Sequence, residues 1–193
     1  MSSQYGLDEI IITAQKRPES MQNAPISMSV LSSTQLGLQG ISDMGGLSGG
    51  IIPSLRITPL GSTPSNLVIA ICGNAPSDVS EVTRDGSVGI YLDGVYLARS
   101  HSFGLELTDL ERIEVLRGPQ GTLFGRNTTA GLIQIITNKP GFENEADIRV
   151  GVGSDGHKNY GFTVNRVLSD NLASRFSLFA KETDGFIRNS ITG

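Results

Sequence analysis

The chain has 193 residues, the length of one ordinary domain or of a small domain with part of another. Lysine and arginine total 15 against 19 acidic residues, a net charge of -4, which argues against any partner whose affinity comes from phosphate neutralisation, nucleic acid included. Glycine is abundant at 24 residues and tryptophan is absent, a composition that favours tight turns over a helical bundle.

Cys72 is the single cysteine, so it can form no intramolecular disulfide and no thiolate metal site alone; inside "LVIAIC" it is expected as a small buried hydrophobe. The longest apolar run, residues 67–72, falls well short of the ~20 residues that a membrane-spanning helix requires. "MSSQYGLDEI" lacks the charged start and apolar core of a secretion signal, so the chain is expected either to be cytosolic or to have lost a leader.

In chain order, "DEIIITA" is β-branched with polar flanks and is expected as an exposed, extended tail. "SSTQLGLQGISDM" offers Ser33 as a helix cap, Gly40 as a stop and Ser42 as the cap of a second short turn. The glycines at 45, 46, 49 and 50 each cost about 1 kcal/mol relative to alanine, so little regular helix is expected past Leu47. From Leu67 onward strands dominate. "VGIYLDGVYLA" places Asp93-Gly94 between apolar alternations, the signal of a hairpin with a type I′ turn.

Thr108 or Asp109 is expected to start one helical turn, followed by a strand over residues 113–117. Glu111, Ile113, Val115 and Arg117 would share one face of that segment, and Arg112, Glu114 and Leu116 the other, so charge falls on both. "RGPQGTLFGRNTTAG" reads as a long irregular turn, and "LIQIIT" as an interior strand, apolar on nearly both sides.

After Pro140, "ADIRVGVGS", "NYGFTVNRVLS" and "NLASRFSLFAKET" form three strand-like segments joined at "SDGHK" and "SDN", the length of tilted transmembrane β-strands. In the third, Ala173, Arg175, Ser177, Phe179 and Lys181 alternate with Ser174, Phe176, Leu178 and Ala180, giving a mostly polar and a mostly apolar face. An ordinary solvated antiparallel sheet alternates in the same way.

Motifs for other chemistries are missing. "GPQGTLFGRNT" has no lysine in the Walker position, His101 and His157 are far apart, and no nucleophile elbow surrounds any serine. No enzymatic activity, cofactor or metal is expected.

"LERIEVLRGPQGTLFGRNTTAGLIQIIT" resembles the plug domain of TonB-dependent outer-membrane receptors, with its Arg-Gly-Pro segment, Gly-Arg-Asn turn and apolar strand. "DEIIITAQKR" is similar to a TonB box, "NAPISMSVLSSTQL" to the start of the plug and "SVGIYLDGVYLARS" to its central hairpin. The resemblance implies an α+β plug domain, a small mixed sheet with short helices, followed by antiparallel strands of an incomplete transmembrane β-barrel. It divides the chain into a TonB box and periplasmic tail (1–20), a plug (21–140) and first barrel strands (141–193).

The family's barrels have about 22 strands around a plugged lumen, and import scarce solutes such as ferric siderophores. The partners implied are therefore TonB, a small-molecule substrate and, for the full-length protein, the lipid of a Gram-negative outer membrane. Asp8, Glu9, Ile10, Ile11, Ile12, Thr13 and Ala14 are the implied TonB-binding residues, pairing as an added strand. Glu111, Arg112, Glu114 and Arg117 are the implied ion-pairing residues within the plug and across to the barrel; the alternative is solvated strand charges worth little. The loops 74–87 and "RSHSFG" are candidate substrate contacts. Cys72 stands where the family commonly has arginine in Ile-Arg-Gly. Some 400 to 500 further residues would be needed to close the barrel, so a fragment of a transporter is expected; the alternative is a freestanding periplasmic binding or signalling module without a pore.

Overall fold

Asp93 and Gly94 both adopt positive φ, 47° and 82°, as the two central residues of a type I′ turn must, and they join strand β6 (Val88–Leu92) to β7 (Val95–Tyr96). The computed structural model describes residues 10–60, 63–75, 86–98 and 106–184. It divides into two compact units, Met1–Thr137 and Asn138–Gly193.

In the first unit a five-stranded mixed sheet has the order β3-β8-β9-β6-β7, where β3 is Met28–Ser32, β8 Leu110–Arg117 and β9 Gly131–Thr137. "LIQIIT" is interior as expected: β9 runs antiparallel to β8 on one side and parallel to β6 on the other. The helical turn expected at Thr108 or Asp109 does not form. Asp109 takes φ 51° instead, and the strand begins at Leu110, bulging between Leu110 and Arg112.

Side-chain alternation gives this sheet two apolar faces. On one, Leu31, Ile113, Val115, Ile133, Ile135, Val88 and Ile90 pack with Leu36, Met44 and Leu47, and with Leu55, Ile57, Leu67, Ile69 and Ile71 of the hairpin β4 (Leu55–Leu60) to β5 (Thr63–Ile71). On the other, Met28, Tyr91, Leu116 and Leu132 pack against Ile12 and Ala14 from the N-terminal segment.

The short helices follow the expected glycine limits with caps shifted by one residue. Helix α1 (Ser33–Leu38) is capped by Ser32 rather than Ser33, through a capping box in which Gln35 N–H donates to Ser32 Oγ at 3.3 Å and Ser32 N–H donates to Gln35 Oε1 at 3.0 Å. A 3-10 helix, Met44–Gly49, is capped by Asp43 rather than Ser42, and Gly50 ends it at φ 80°.

Cys72 corrects the sequence reading. It is exposed, with φ 53°, in the turn that follows β5, because the apolar strand ends at Ile71 and the chain reverses immediately after it. Gly131 is required by backbone packing: at φ 151°, an added Cβ would run into the Leu116 carbonyl oxygen of the neighbouring strand. "GTLF" inside the expected irregular turn forms a single helical turn, α2 (Gly121–Phe124).

The second unit is an antiparallel meander of β10 (Glu145–Val152), β11 (Lys158–Ser169) and β12 (Leu172–Glu182). Asp155 and Gly156, at φ 56° and 66°, turn the chain between the first two strands.

Candidate functional site

The segment expected as an exposed tail is in part folded away. Strand β1 (Ile11–Ile12) pairs antiparallel with β2 (Glu19–Ser20), Ile11 opposite Ser20 and Ile12 opposite Glu19. Ile10 and Ile11 remain 46% exposed, but Ile12 and Ala14 are at 0% because they lie on the second face of the sheet. Asp8 and Glu9 lie outside the described residues.

Thr13 meets a buried polar cluster on that face. Its N–H donates to Glu114 Oε1 at 3.0 Å, and its hydroxyl oxygen accepts from Gln134 Nε2 at 2.9 Å. Arg112 Nε donates to the same Glu114 oxygen at 2.8 Å, and Arg112 also pairs with Glu111. Glu114 is 0% exposed, and the cost of burying its carboxyl group is offset by the guanidinium and the main-chain N–H that converge on it. The residues expected to bind a partner and those expected to form ion pairs, read separately in the sequence, are therefore joined at Thr13.

Gln134 is the functional candidate that sequence reasoning missed. Its signal is a polar side chain with apolar neighbours on both sides inside "LIQIIT", on the same face as its register partner Glu114. Simple alternation puts Glu111 and Arg112 on opposite faces; the bulge at the start of β8 lets Glu111 reach the Arg112 guanidinium all the same.

Arg117 makes different contacts, donating to the hydroxyls of Ser27 (3.3 Å) and Ser29 and so tying the end of β8 to the strand beside it. Next to the N-terminal segment, Tyr91 stacks edge-on against Phe124, its hydroxyl donates to the Phe124 carbonyl, and Lys16 Nζ lies 5.2 Å from the Phe124 ring centroid. Burial, reinforced by the nearby Tyr96, pushes the Tyr91 phenol above its ordinary pKa.

In the second unit one face carries Ile148, Val150, Tyr160, Phe162, Phe176 and Leu178 in cross-strand register, each exposed by between 40% and 73%. The opposite face carries Arg149, Asn165 and Arg175. Asn165, 3% exposed, donates to the carbonyls of Gly141 and Glu143 and accepts from Gly141 N–H, which fixes the chain leading into β10. The candidate loop 74–87 is described only at its two ends, and "RSHSFG", with His101, lies beyond the described residues apart from its neighbours. His157 sits in the turn before β11, its Nδ1 3.0 Å from the Thr183 hydroxyl.

A family model described as the TonB-dependent Receptor Plug Domain matches residues 20–132. The pesticin receptor of Yersinia pestis is 27% identical over 192 residues, spanning 99% of this chain and 26% of that protein. The ferrioxamine B receptor of Salmonella typhimurium is 33% identical over 107 residues, 52% of this chain and 15% of that receptor. Among solved structures, the ferric yersiniabactin uptake receptor FyuA from Yersinia pestis is similar with a TM-score of 0.71 and 29% identity, over 80% of this chain and 24% of that one. The pyoverdine outer membrane receptor FpvA from Pseudomonas aeruginosa shares the fold, with a TM-score of 0.76 at 17% identity over 92% of this chain and 25% of its own. The chain thus spans about a quarter of the length of the receptors it matches over most of its own length.

Proposed function

This chain belongs to the TonB-dependent receptor plug domain family, with the plug followed by strands of the kind that open such a receptor's barrel, and from that premise we propose that it serves TonB-dependent uptake of a ferric siderophore across a Gram-negative outer membrane. Support for the substrate class comes from relatives named for ferrioxamine B, for catecholate siderophores and for ferric yersiniabactin.

The observation that carries the transport reading is the covalent succession of the two units. A plug fold alone would suit a soluble periplasmic module. The strands after residue 138 add a face on which Ile148, Val150, Phe176 and Leu178 are exposed by 73%, 67%, 58% and 62% with no charge among them. Water disfavours such a band, and lipid accepts it. Three strands have two open edges, which hydrocarbon cannot satisfy, so the membrane-embedded form requires further strands to close the barrel.

In this reading residues 8–14 are the docking strand for TonB, with main-chain hydrogen bonds supplying affinity. Glu111, Arg112, Glu114 and Arg117 hold the plug in position, within the plug and toward the barrel wall. The test is uptake: a strain deleted for the full-length protein, grown under iron restriction, is supplied with a panel of iron-55-labelled siderophores. Uptake of one chemical class is expected to be lost in the deletion strain, restored by the wild-type gene, and abolished again when TonB is removed. Unimpaired uptake across the panel would remove the assignment.

A further inference from the structure

We propose that Asn165 is a mechanical anchor for the chain that leaves the plug: its buried carboxamide stands in for a missing strand beside Gly141, so that unfolding or pulling of the plug ends before β10. Such a role rests on the reading of this chain as part of a receptor whose plug is pulled from its N-terminal end, and it assigns the residue that confines the pull.

The carboxamide reproduces main-chain pairing. Strand β10 begins only at Glu145, whose register partner on β11 is Asn165 itself, and the ladder between the two strands stops at that pair. Beyond it, Gly141 N–H donates to Asn165 Oδ1 at 3.0 Å, and Asn165 Nδ2 donates to the Gly141 carbonyl at 2.7 Å. One bond given and one taken on the same residue is the exchange by which antiparallel strands pair. The second Nδ2 hydrogen goes to the Glu143 carbonyl at 2.6 Å, so both amide donors are used. Asn144 adds a bond in the other direction, its Oδ1 accepting from Val167 N–H at 3.0 Å. At 3% exposure, Asn165 makes its bonds where a lost partner is not replaced at once by water. Other side chains cannot make this set. Aspartate would turn a carboxylate toward two carbonyl oxygens, and alanine would leave Gly141 without either partner.

A separate fastening closes the plug side of the connection. Thr137, the last residue of β9, donates from its N–H to Asp93 Oδ1 at 3.0 Å and from its hydroxyl to Asp93 Oδ2 at 2.8 Å. Between the two fastenings lie only Asn138, Lys139 and Pro140. Asp93 belongs to a turn of the plug sheet and is lost with that sheet, whereas Asn165 sits on β11, which is paired on both sides by β10 and β12. Unfolding of the plug therefore releases the first fastening and then meets the second.

The experiment follows hydrogen exchange in the full-length protein in detergent through a urea titration. In wild type, peptides covering residues 141–150 should stay protected at urea concentrations at which those covering 110–137 exchange freely. Asn165→Asp and Asn165→Ala should speed exchange over residues 141–146 by at least about 10-fold, so that it follows the plug. Gly141→Ala, whose added Cβ meets only Asn165 Nδ2 at 3.9 Å, should exchange as wild type does. Loss of protection over 141–150 together with the plug in wild type, a measurement that needs no variant, overturns the anchor, as does wild-type exchange in both Asn165 variants. A second readout separates an anchor under load from a static brace: entry of a large antibiotic into cells expressing the receptor, with and without TonB. Asn165→Asp should raise entry only where TonB is present; a rise independent of TonB, or no rise, overturns the role under load. Exchange requires neither TonB nor a substrate, so failure of the uptake assignment is read separately, from the labelled siderophores.

Discussion

Thr13 and Glu114 are 101 positions apart in the sequence, yet a main-chain N–H of one donates to the carboxylate of the other at 3.0 Å. One end of this contact belongs to the segment through which the receptor is proposed to receive force. The other lies on β8, which is bonded on both sides within the five-stranded sheet. Anything that moves residues 10–14 therefore bears first on a buried charge.

Proline at position 11 tests the docking strand. Ile11 turns its main-chain groups away from β2, so Ile11→Pro removes an N–H from the outward edge without taking a bond from the β1–β2 pair. TonB binding should be lost, with thermal unfolding of the protein little changed. Affinity equal to wild type would retire the strand-pairing assignment.

Arg112 tests the energetics of the buried cluster. With Arg112→Ala, the Glu114 carboxylate at 0% exposure loses its cation, a change that costs about 3–5 kcal/mol for buried pairs. Urea unfolding of this chain should show a loss in that range. A change below about 1 kcal/mol would mean that the pair behaves like exposed surface charges.

Gly131→Ala should strain the centre of the sheet. Its φ of 151° and the nearness of the Leu116 carbonyl leave no room for a Cβ, and backbone strain alone is worth about 1–3 kcal/mol. The comparison is Gly37→Ala, where an added Cβ meets nothing within 4 Å on the exposed side of α1; equal stability of the two variants would contradict the packing described.

Tyr91 gives the plug an alkaline limit. Its phenol has a raised pKa in the folded state, so above the ordinary tyrosine value of about 10 the unfolded chain releases this proton first and stability falls as pH rises. Tyr91→Phe should lower stability at neutral pH, through loss of the hydrogen bond to the Phe124 carbonyl, and flatten the decline above pH ~10. Parallel wild-type and variant curves across that range would exclude Tyr91 as the source.

Arg117 tests the proposed positioning of the plug. Arg117→Ala releases the hydroxyls of Ser27 and Ser29 and any contact with the barrel wall. In the full-length receptor, uptake and leakage of a large antibiotic should both change; if neither moves, the charge is a solvated one.

Much of the fold could be read directly because its causes are local. Asp93-Gly94 specifies its turn through two positive φ angles, and the period of two in residues 172–182 sorts Phe176 and Leu178 from Arg175 and Ser177 before any partner strand is known. The plug segment from Leu110 to Thr137 is likewise legible as strand, turn and interior strand. What sequence alone could not supply depended on residues far apart in the chain. Cys72 looked buried because its neighbours are apolar, but the strand's end at Ile71 turns it outward. Ile12 looked exposed because its flanks are polar, but the second face of the sheet needed a cover. Gln134 and Glu114 became one site only when β8 and β9 set their register, and Thr13 joined them only when residues 10–14 packed on top. Periodicity and turn chemistry act over a few residues and are written in the chain. Burial, and the pairing of charges that burial demands, is decided by which distant surfaces meet.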